Sequence, residues 1–413
     1  MTKKTKDGKS KLDTKKLIPI IIASALALII IFGATLGIIA LVREANSVVS
    51  YDGTALTEGV TAYLASSFKQ SYLRHLANIG VDCIDSELFW ESSDIDGTPY
   101  GDKLRAACES YIRKVAVAAS LFDRYASISA EQREKLNTGI AEVLDYKADG
   151  SVKIFNEMAL PMGFTYSDFV AGCEILYKAE NAVAAIYGAD GSALATQANI
   201  SILEEYLGEY AYVKLVFVRH RDRFVLDENG NRIVEDGRDK LESLTAAERE
   251  ERRADIDEII ASIDSIAVGG DGQMSELYFA SLYEKYNDDP KYSSLGYYFS
   301  ADSELTLGYA EMYGNVVSGA LAMDVGDYGY YDVDEDGDDV VDLTVFVHRM
   351  AVKSGAYAES AYAEFFEDFY VDAANYHFEK AVDDLAPSVN VKDGYKRINV
   401  ITLAPNGKFY LAE

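Results

Sequence analysis

An unbroken uncharged run from Leu17 to Val42 constrains this chain more than any other feature. As a helix rising ~1.5 Å per residue it spans roughly 39 Å, enough to cross a ~30 Å hydrocarbon core with tilt. Seven lysines lie in residues 1–16 ahead of it, against Asp7 and Asp13, and Arg43 closes it. The apolar regions of signal peptides are shorter, roughly 7–15 residues, and end in a small-x-small cleavage site. Here the candidate site before Asn46 would need Arg43 where a small residue belongs. No Cys follows the run directly, which argues against a lipidated anchor. The positive-inside rule then predicts an uncleaved single-pass anchor at 17–42 in the cell membrane. It places the basic tail, 1–16, in the cytoplasm and everything after Arg43 outside. A buried core helix is the plain alternative, disfavoured by the length and purity of the run.

The chain is long enough, at 413 residues, for two or three domains. Its 49% hydrophobic and 26% charged residues, with only 6 Pro, exclude a disordered protein, and 3 Cys exclude a disulfide scaffold. Lys and Arg number 39 against 68 Asp and Glu, a net of −29, so nucleic acid is excluded as a partner by phosphate repulsion. Without residues 1–43, which hold eight basic and two acidic groups, the remainder carries −35. Such a body is repelled by anionic headgroups and touches the membrane only through its N-terminal helix. Cys83, Cys108 and Cys173 sit in apolar helical surroundings and read as small buried hydrophobes, with one disulfide at most.

From Thr54 to about Gly208 the periodicity is helical. Leu104, Cys108, Ile112, Val115, Ala119, Leu121 and Phe122 form one apolar stripe over Tyr100–Tyr125. Ser129 with Gln132, and Thr165 with Asp168, read as capping boxes opening two further helices, the second ending at Gly188. A last helix is expected at Ala195–Leu207. These make 43–207 an all-α unit. The period then changes. Tyr210–Arg219 reads as a strand, and Phe224–Val234 as a hairpin turning at Asn229-Gly230. Thr245 caps a charged helix to about Val268, and Met274–Tyr286 is another helix. Tyr328–Tyr331 and Leu343–Met350 are strands, which makes 208–353 an α+β unit. In 354–413 a long helix, Ala356–Asp384, carries Tyr357, Tyr362, Phe365, Phe366, Phe369, Tyr370, Tyr376 and Phe378. A closing strand is expected at Arg397–Leu403.

This order of parts resembles the extracytoplasmic foldases of the PrsA/SurA type, in which a helical chaperone domain accompanies a parvulin-type (PpiC-type) peptidyl-prolyl isomerase domain. The family's opening strand, Val-x-His-Ile-Leu-Val, is echoed by Tyr212-Val-Lys-Leu-Val-Phe217. Its Tyr-Ser-x-Asp is echoed by Tyr286-Asn-Asp-Asp289, and its Gly-Gly-x-Leu-Gly-x-Phe by Ser293-Ser-Leu-Gly-Tyr-Tyr-Phe299. Gly319–Asp327 echoes the Phe-x-x-Ala-x-x-x-Leu-x-x-Gly-Glu segment, and Asp342-Leu-Thr-Val-Phe346 the closing Gly-Tyr-His-Ile-Ile. The fold so implied is α+β. It comprises a transmembrane helix, an all-α domain like those of SurA and trigger factor, a parvulin-like domain, and a long C-terminal helix returning to the helical domain.

The departures bear on mechanism. Isomerising an X-Pro bond lowers a barrier of ~18–20 kcal/mol by desolvating and twisting the amide. The resemblance implies an apolar proline pocket above two histidines, with a Cys or Asp nearby. Lys214 and Thr344 stand at the two histidine positions, and Asp289, beside Asp288, keeps the acidic one. His220 and His348 lie six and four residues downstream of those places, and on antiparallel strands these offsets separate them beyond hydrogen-bond reach. His75 and His377 read as surface or packing residues. Leu295 and Phe299 match the pocket, which Leu305, Met312 or Tyr313 would complete; ordinary core is the alternative for each. The expected function is a foldase or chaperone that binds unfolded or nascent exported polypeptides, with isomerase activity weak or lost. Two readings compete with it: an active isomerase using Asp289 and the apolar pocket, and an extracellular structural or adhesive module. The many Tyr suit polypeptide binding, being apolar with a polar tip and few rotors, though half-buried packing accounts for them equally.

No cofactor is expected, and Gly-rich phosphate loops, His-Glu-x-x-His, Cys-x-x-Cys and Gly-x-Ser-x-Gly are missing from the sequence. One stretch raises calcium. Asp332, Asp334, Asp336 and Asp338 with Gly337 match the first half of a calcium loop, but position 12 is Leu343 instead of Glu. A solvated acidic hairpin tip is the alternative.

Overall fold

The computed structural model describes residues 46–401 apart from 197–198, 236–237, 269–275, 289–294, 302–309, 336 and 338–339. The anchor expected at 17–42 lies outside these residues. Among those described, no helix is long and apolar enough to cross a membrane. The fold class is corrected to a mixed helix-and-sheet chain, and the single-pass membrane placement finds no transmembrane helix among the described residues. Two compact units result, one ending at Ala189 and resuming at Phe378, the other Asp190–His377.

The first unit opens with strands where helix was expected. β1 (Ser47–Tyr51) and β2 (Thr54–Thr57) form a hairpin across Asp52-Gly53, both at positive φ (36° and 86°). That is the conformation a two-residue turn needs to match the strands' twist. Strand Asn390–Val391 pairs with the other side of β1, giving a three-stranded sheet. The all-α assignment is thus corrected, for a physical reason: strands this short, with Val49 and Leu56 fully buried, leave too few residues to display a period of two. The closing strand expected at Arg397–Leu403 is likewise displaced. Asp393–Arg397 is a 3-10 turn, and residues beyond 401 lie outside those described.

Helices supply the rest of this unit: α1 (Glu58–Asn78), α2 (Glu87–Glu91), α3 (Tyr100–Tyr125), α4 (Ala130–Ala148), α5 (Val152–Ala159), α6 (Tyr166–Glu180) and α7 (Ala182–Tyr187). The α3 stripe is buried from Leu104 to Phe122. Both capping boxes form, Ser129 with Gln132 and Thr165 with Asp168. The helix expected through Gly188 divides at Asn181 into α6 and α7. Gly172 lets α6 close onto α1, since a Cβ there would sit 2.1 Å from the Tyr63 ring. Tyr63 in turn meets Phe164 and Phe169 edge-on, at 5.5 and 5.3 Å. All three cysteines are free, and burial pushes the Cys108 thiol up to about 12.

In the second unit α8 (Ile200–Leu207) leads into β3 (Ala211–Arg219). An arm follows, in which β4 (Asp222–Phe224), β5 (Val234–Glu235), β6 (Arg238–Asp239) and β7 (Leu241–Ser243) pair as β4–β7 and β5–β6. The hairpin expected at Phe224–Val234 survives as a single Leu226–Arg232 bridge over the Asn229-Gly230 turn. Then come α9 (Ala246–Val268), α10 (Glu276–Tyr286), β8 (Tyr297–Phe299), α11 (Ala310–Ala322), β9 (Tyr328–Val333) and β10 (Leu343–Met350). The sheet runs β8-β3-β10-β9, antiparallel throughout.

Side chains alternate across this sheet. Val213, Leu215, Phe217, Val345, Val347 and Phe299 pack with Val316 and Ala320 of α11. Val216, Val218 and Phe346 pack with Ile256, Ile259 and Ile263 of α9 and with Phe279, Leu282 and Tyr286 of α10. Gly319 brings α11 down onto β9, as a Cβ there would lie 2.0 Å from the Tyr331 hydroxyl.

The long helix expected at Ala356–Asp384 is also corrected. Ala356–Ala358 and Ser360–Phe365 are 3-10 segments, and the α-helix runs Phe369–Leu385. Its aromatics do not share one helical face because they serve different partners. Tyr357 stacks on Phe369 at 4.7 Å, Phe365 meets Tyr297, and Phe366 meets both Tyr210 and Tyr298.

Candidate functional site

The register of β3 and β10 decides what the sequence-derived site becomes. Lys214 stands opposite His348, and Thr344 opposite Val218. Lys214 and Thr344, aligned to the two histidine positions, are therefore four residues apart along the ladder, roughly 13 Å at ~3.3 Å per residue. The same register holds His220 and His348 apart, since His220 lies six residues beyond Lys214.

All four of these residues belong to the sheet face that packs on α9 and α10, because Val216, Val218 and Phe346 alternate with them there. Phe299 belongs to the opposite face. It pairs with Ala211 and packs in the α11 cluster, fully buried. Leu295 is 49% exposed, and its carbonyl accepts the Tyr212 hydroxyl. The structure thus does not bring the matched apolar residues and the matched polar residues into one groove. Leu305 and Asp289 lie outside the described residues. Met312 and Tyr313 belong to α11, but their side chains are not among those described.

A polar group does assemble at the end of β3 nearest the arm. The Thr344 hydroxyl, fully buried, donates to Asp332 Oδ1 at 2.6 Å. That uses its one proton, so at 2.9 Å from His220 Nε2 it accepts, and His220 carries its hydrogen on Nε2. The His220 amide also donates to the Asp342 carbonyl at 2.7 Å. Burial lowers the His220 imidazole below its ordinary value; Arg253 adds to this, while Asp332 and Asp342 oppose it. The ring is neutral at pH 7. This order, His to Thr to Asp, is the wrong one for an activated nucleophile, in which the hydroxyl must give its proton to the imidazole. Thr344 is also closed to any substrate. The chain ties β9, β10 and the arm together.

His348 is buried too, stacked on Tyr328 at 4.1 Å and 12° and facing Phe279 at 5.4 Å. Asp288, beside the expected acid, has a structural task. Its Oδ2 accepts the Arg219 amide at 2.8 Å and its Oδ1 accepts Arg252 at 2.6 Å. Asn287 Oδ1 likewise accepts the Phe217 amide at 2.9 Å. Together they satisfy the β3 backbone beyond the end of β8. Burial raises the Asp288 carboxyl against the pull of the Arg219 amide and Arg252.

In the acidic stretch, Asp332 is engaged by Thr344, and Asp334 Oδ1 accepts the Gly337 amide at 2.7 Å; Asp336 and Asp338 lie outside the described residues. Among the described residues no group of three or more His, Cys, Asp or Glu side chains could hold a metal. The sequence missed the roles of Asn287 and of the His220–Thr344–Asp332 chain, since only the strand register places them together.

A second surface stands out in the first unit. Ile79, Ile84, Leu88 and Ile95 are 61%, 69%, 81% and 105% exposed, all within residues 79–95. This segment is pinned at Trp90, which is buried, donates from Nε1 to Asp85 at 2.7 Å and lies under the Lys69 ammonium at 5.6 Å. Phe89 stacks on Tyr100 at 4.9 Å.

No family model matches the chain, and no curated protein matches it. Among solved structures it is similar to the foldase protein PrsA from Streptococcus pneumoniae, at 11% identity and a TM-score of 0.20, over 76% of this chain and 100% of that one. That neighbour is a foldase of the type the sequence motifs resemble; at this TM-score it decides neither fold nor activity.

Proposed function

We propose that this chain is a polypeptide-binding chaperone of the foldase type, whose sheet unit contributes architecture and not prolyl isomerisation. One observation carries the reading: four aliphatic side chains stand in solvent on a single short segment held by a buried Trp. Scattered exposed hydrophobes are ordinary, but several on one anchored segment make a surface for apolar partners. Unfolded or nascent polypeptides present such apolar stretches. The loss of isomerisation is supported by the separation of Phe299 from Lys214 and Thr344 on opposite sheet faces.

A denatured client protein diluted into buffer tests this. The full chain is expected to suppress light scattering at near-equimolar ratio. A variant carrying Ile84→Asp and Leu88→Asp is expected to lose most of that protection while its stability stays within about 0.5 kcal/mol, as for surface changes generally. Aggregation unaffected by the wild-type chain would remove the proposal.

A further inference from the structure

The two edges of the four-stranded sheet are finished differently. On one side β8 covers the start of β3, and Asn287 and Asp288 cap the remainder, accepting the Phe217 and Arg219 amides. On the other side, among the described residues, β9 pairs with β10 alone. Which β9 groups face outward follows from the ladder. The His220 amide donates to the Asp342 carbonyl, so even-numbered residues of β10 point their backbone toward β3. The odd ones then bond β9, as the Arg349 amide does to the Asp327 carbonyl. Opposite them, the odd residues of β9 are used, and the N–H and C=O groups of Tyr330 and Asp332 project from the free edge.

Beside that edge lies an open groove of about 480 Å³ lined by Asn315, Ser318 and Gly319 of α11 and by Tyr330, Tyr331 and Asp332. Tyr330 is 42% exposed. In the surrounding stretch, 324–342, the described residues include Asp324, Asp327, Asp332 and Asp334 and no Lys or Arg, while Glu335 and Asp342 are paired with Arg219 and Arg221. An edge strand with free backbone groups at alternate residues is a template for one more strand, and natural proteins usually block such edges with Lys, Pro or a covering element. Among the described residues no further strand covers this edge, and β9 holds neither Lys nor Pro, its one charged side chain being Asp332.

We infer that the outer edge of β9 takes an extended, basic stretch of polypeptide as an added antiparallel or parallel strand. Main-chain hydrogen bonds to Tyr330 and Asp332 would supply affinity, and the acidic flank would select Lys- or Arg-bearing segments. This rests on the polypeptide-binding reading and names a second surface for it, separate from residues 79–95.

The probe is a short synthetic peptide alternating Lys with Val or Tyr, titrated into the full chain, with a Glu-for-Lys counterpart as the charge control. Binding is expected to be at least tenfold weaker for the Glu peptide. Amide exchange at Tyr330 and Asp332 should slow when the Lys peptide binds. Tyr330→Pro removes one outward donor at a position where Pro is tolerated, because that N–H is not in the ladder. It should weaken binding at least fivefold, whereas Tyr330→Ala, which keeps the donor, should weaken it less. Asp332→Asn keeps an acceptor for Thr344 and should reduce both affinity and its salt dependence. Peptide binding with no protection at Tyr330 and Asp332 overturns the edge as the site. If the peptide does not bind while aggregation is still suppressed, the edge proposal falls alone; if both fail, the polypeptide-binding reading falls with it.

Discussion

The two faces of the four-stranded sheet are built from adjacent residues of the same strands, yet one is apolar through its centre, with Arg219 and Arg349 only at the strand ends, while the other carries polar residues among its core. Toward α11, β3 and β10 present Val213, Leu215, Phe217, Val345 and Val347, with Phe299 alongside. Toward α9 and α10 they present Val216, Val218 and Phe346, with Thr344 and His348 buried among apolar neighbours and Lys214 and His220 half-buried at the margins. The centre of the first face needs only shape, and the buried Arg219 at its end is held by Asp222 and Glu335. The second must also satisfy hydrogen bonds, and the His220–Thr344–Asp332 chain does so at one end. That chain gives His220, Thr344 and Asp332 a structural task on this face.

Truncation should separate the faces most sharply. Phe299→Ala removes a fully buried ring from the apolar face and should cost about 3–5 kcal/mol. Thr344→Val, nearly the same in shape, leaves the His220 Nε2–H without its acceptor while exposed Asp332 turns to water. That should cost about 1–2 kcal/mol. Denaturant melts of both variants check the ratio; equal costs would mean that the polar chain does more than fill its site.

Acid should distinguish the faces more gently. Burial lowers the His220 imidazole in the folded chain below its ordinary 6.5, so the unfolded chain binds a proton more readily there. The stability from neutral His220 is fully present above pH 6.5 and is lost as pH falls through the lower, folded value. Asp288 runs the other way: its raised carboxyl favours the fold at pH near and below 3.8, and that contribution is lost as pH rises through the folded value. Melting temperatures between pH 7.5 and 5 should therefore fall more steeply for wild type than for His220→Gln, which has no proton to gain.

Much of this architecture was legible in local sequence. The capping boxes at Ser129 and Thr165, the α3 stripe and strand Leu343–Met350 all rest on near-neighbour signals, and each is found where the sequence places it. Thr245 caps its helix with Glu248 as the spacing predicts. What was not legible is non-local. Strands β1 and β2 are too short to show a period, and the aromatics of 357–370 look helical by spacing although their partners lie elsewhere in the chain. Register is the clearest case. Motif alignment sets Lys214 and Thr344 at the two histidine positions without fixing their register, whereas the ladder puts Lys214 opposite His348, four residues from Thr344. The polar site therefore could not be assembled from sequence. The acid at 289 and the apolar residue at 305 remain outside the described residues.

The central claim is that this chain holds polypeptides without turning X-Pro bonds, and a proline-limited refolding trace tests it most directly. A client whose slow phase is set by cis–trans isomerisation should refold with that phase unchanged in rate when catalytic amounts of the full chain are added. A slow phase that quickens in proportion to added chain, and slackens again with Thr344→Val or Asp289→Ala, would contradict the account.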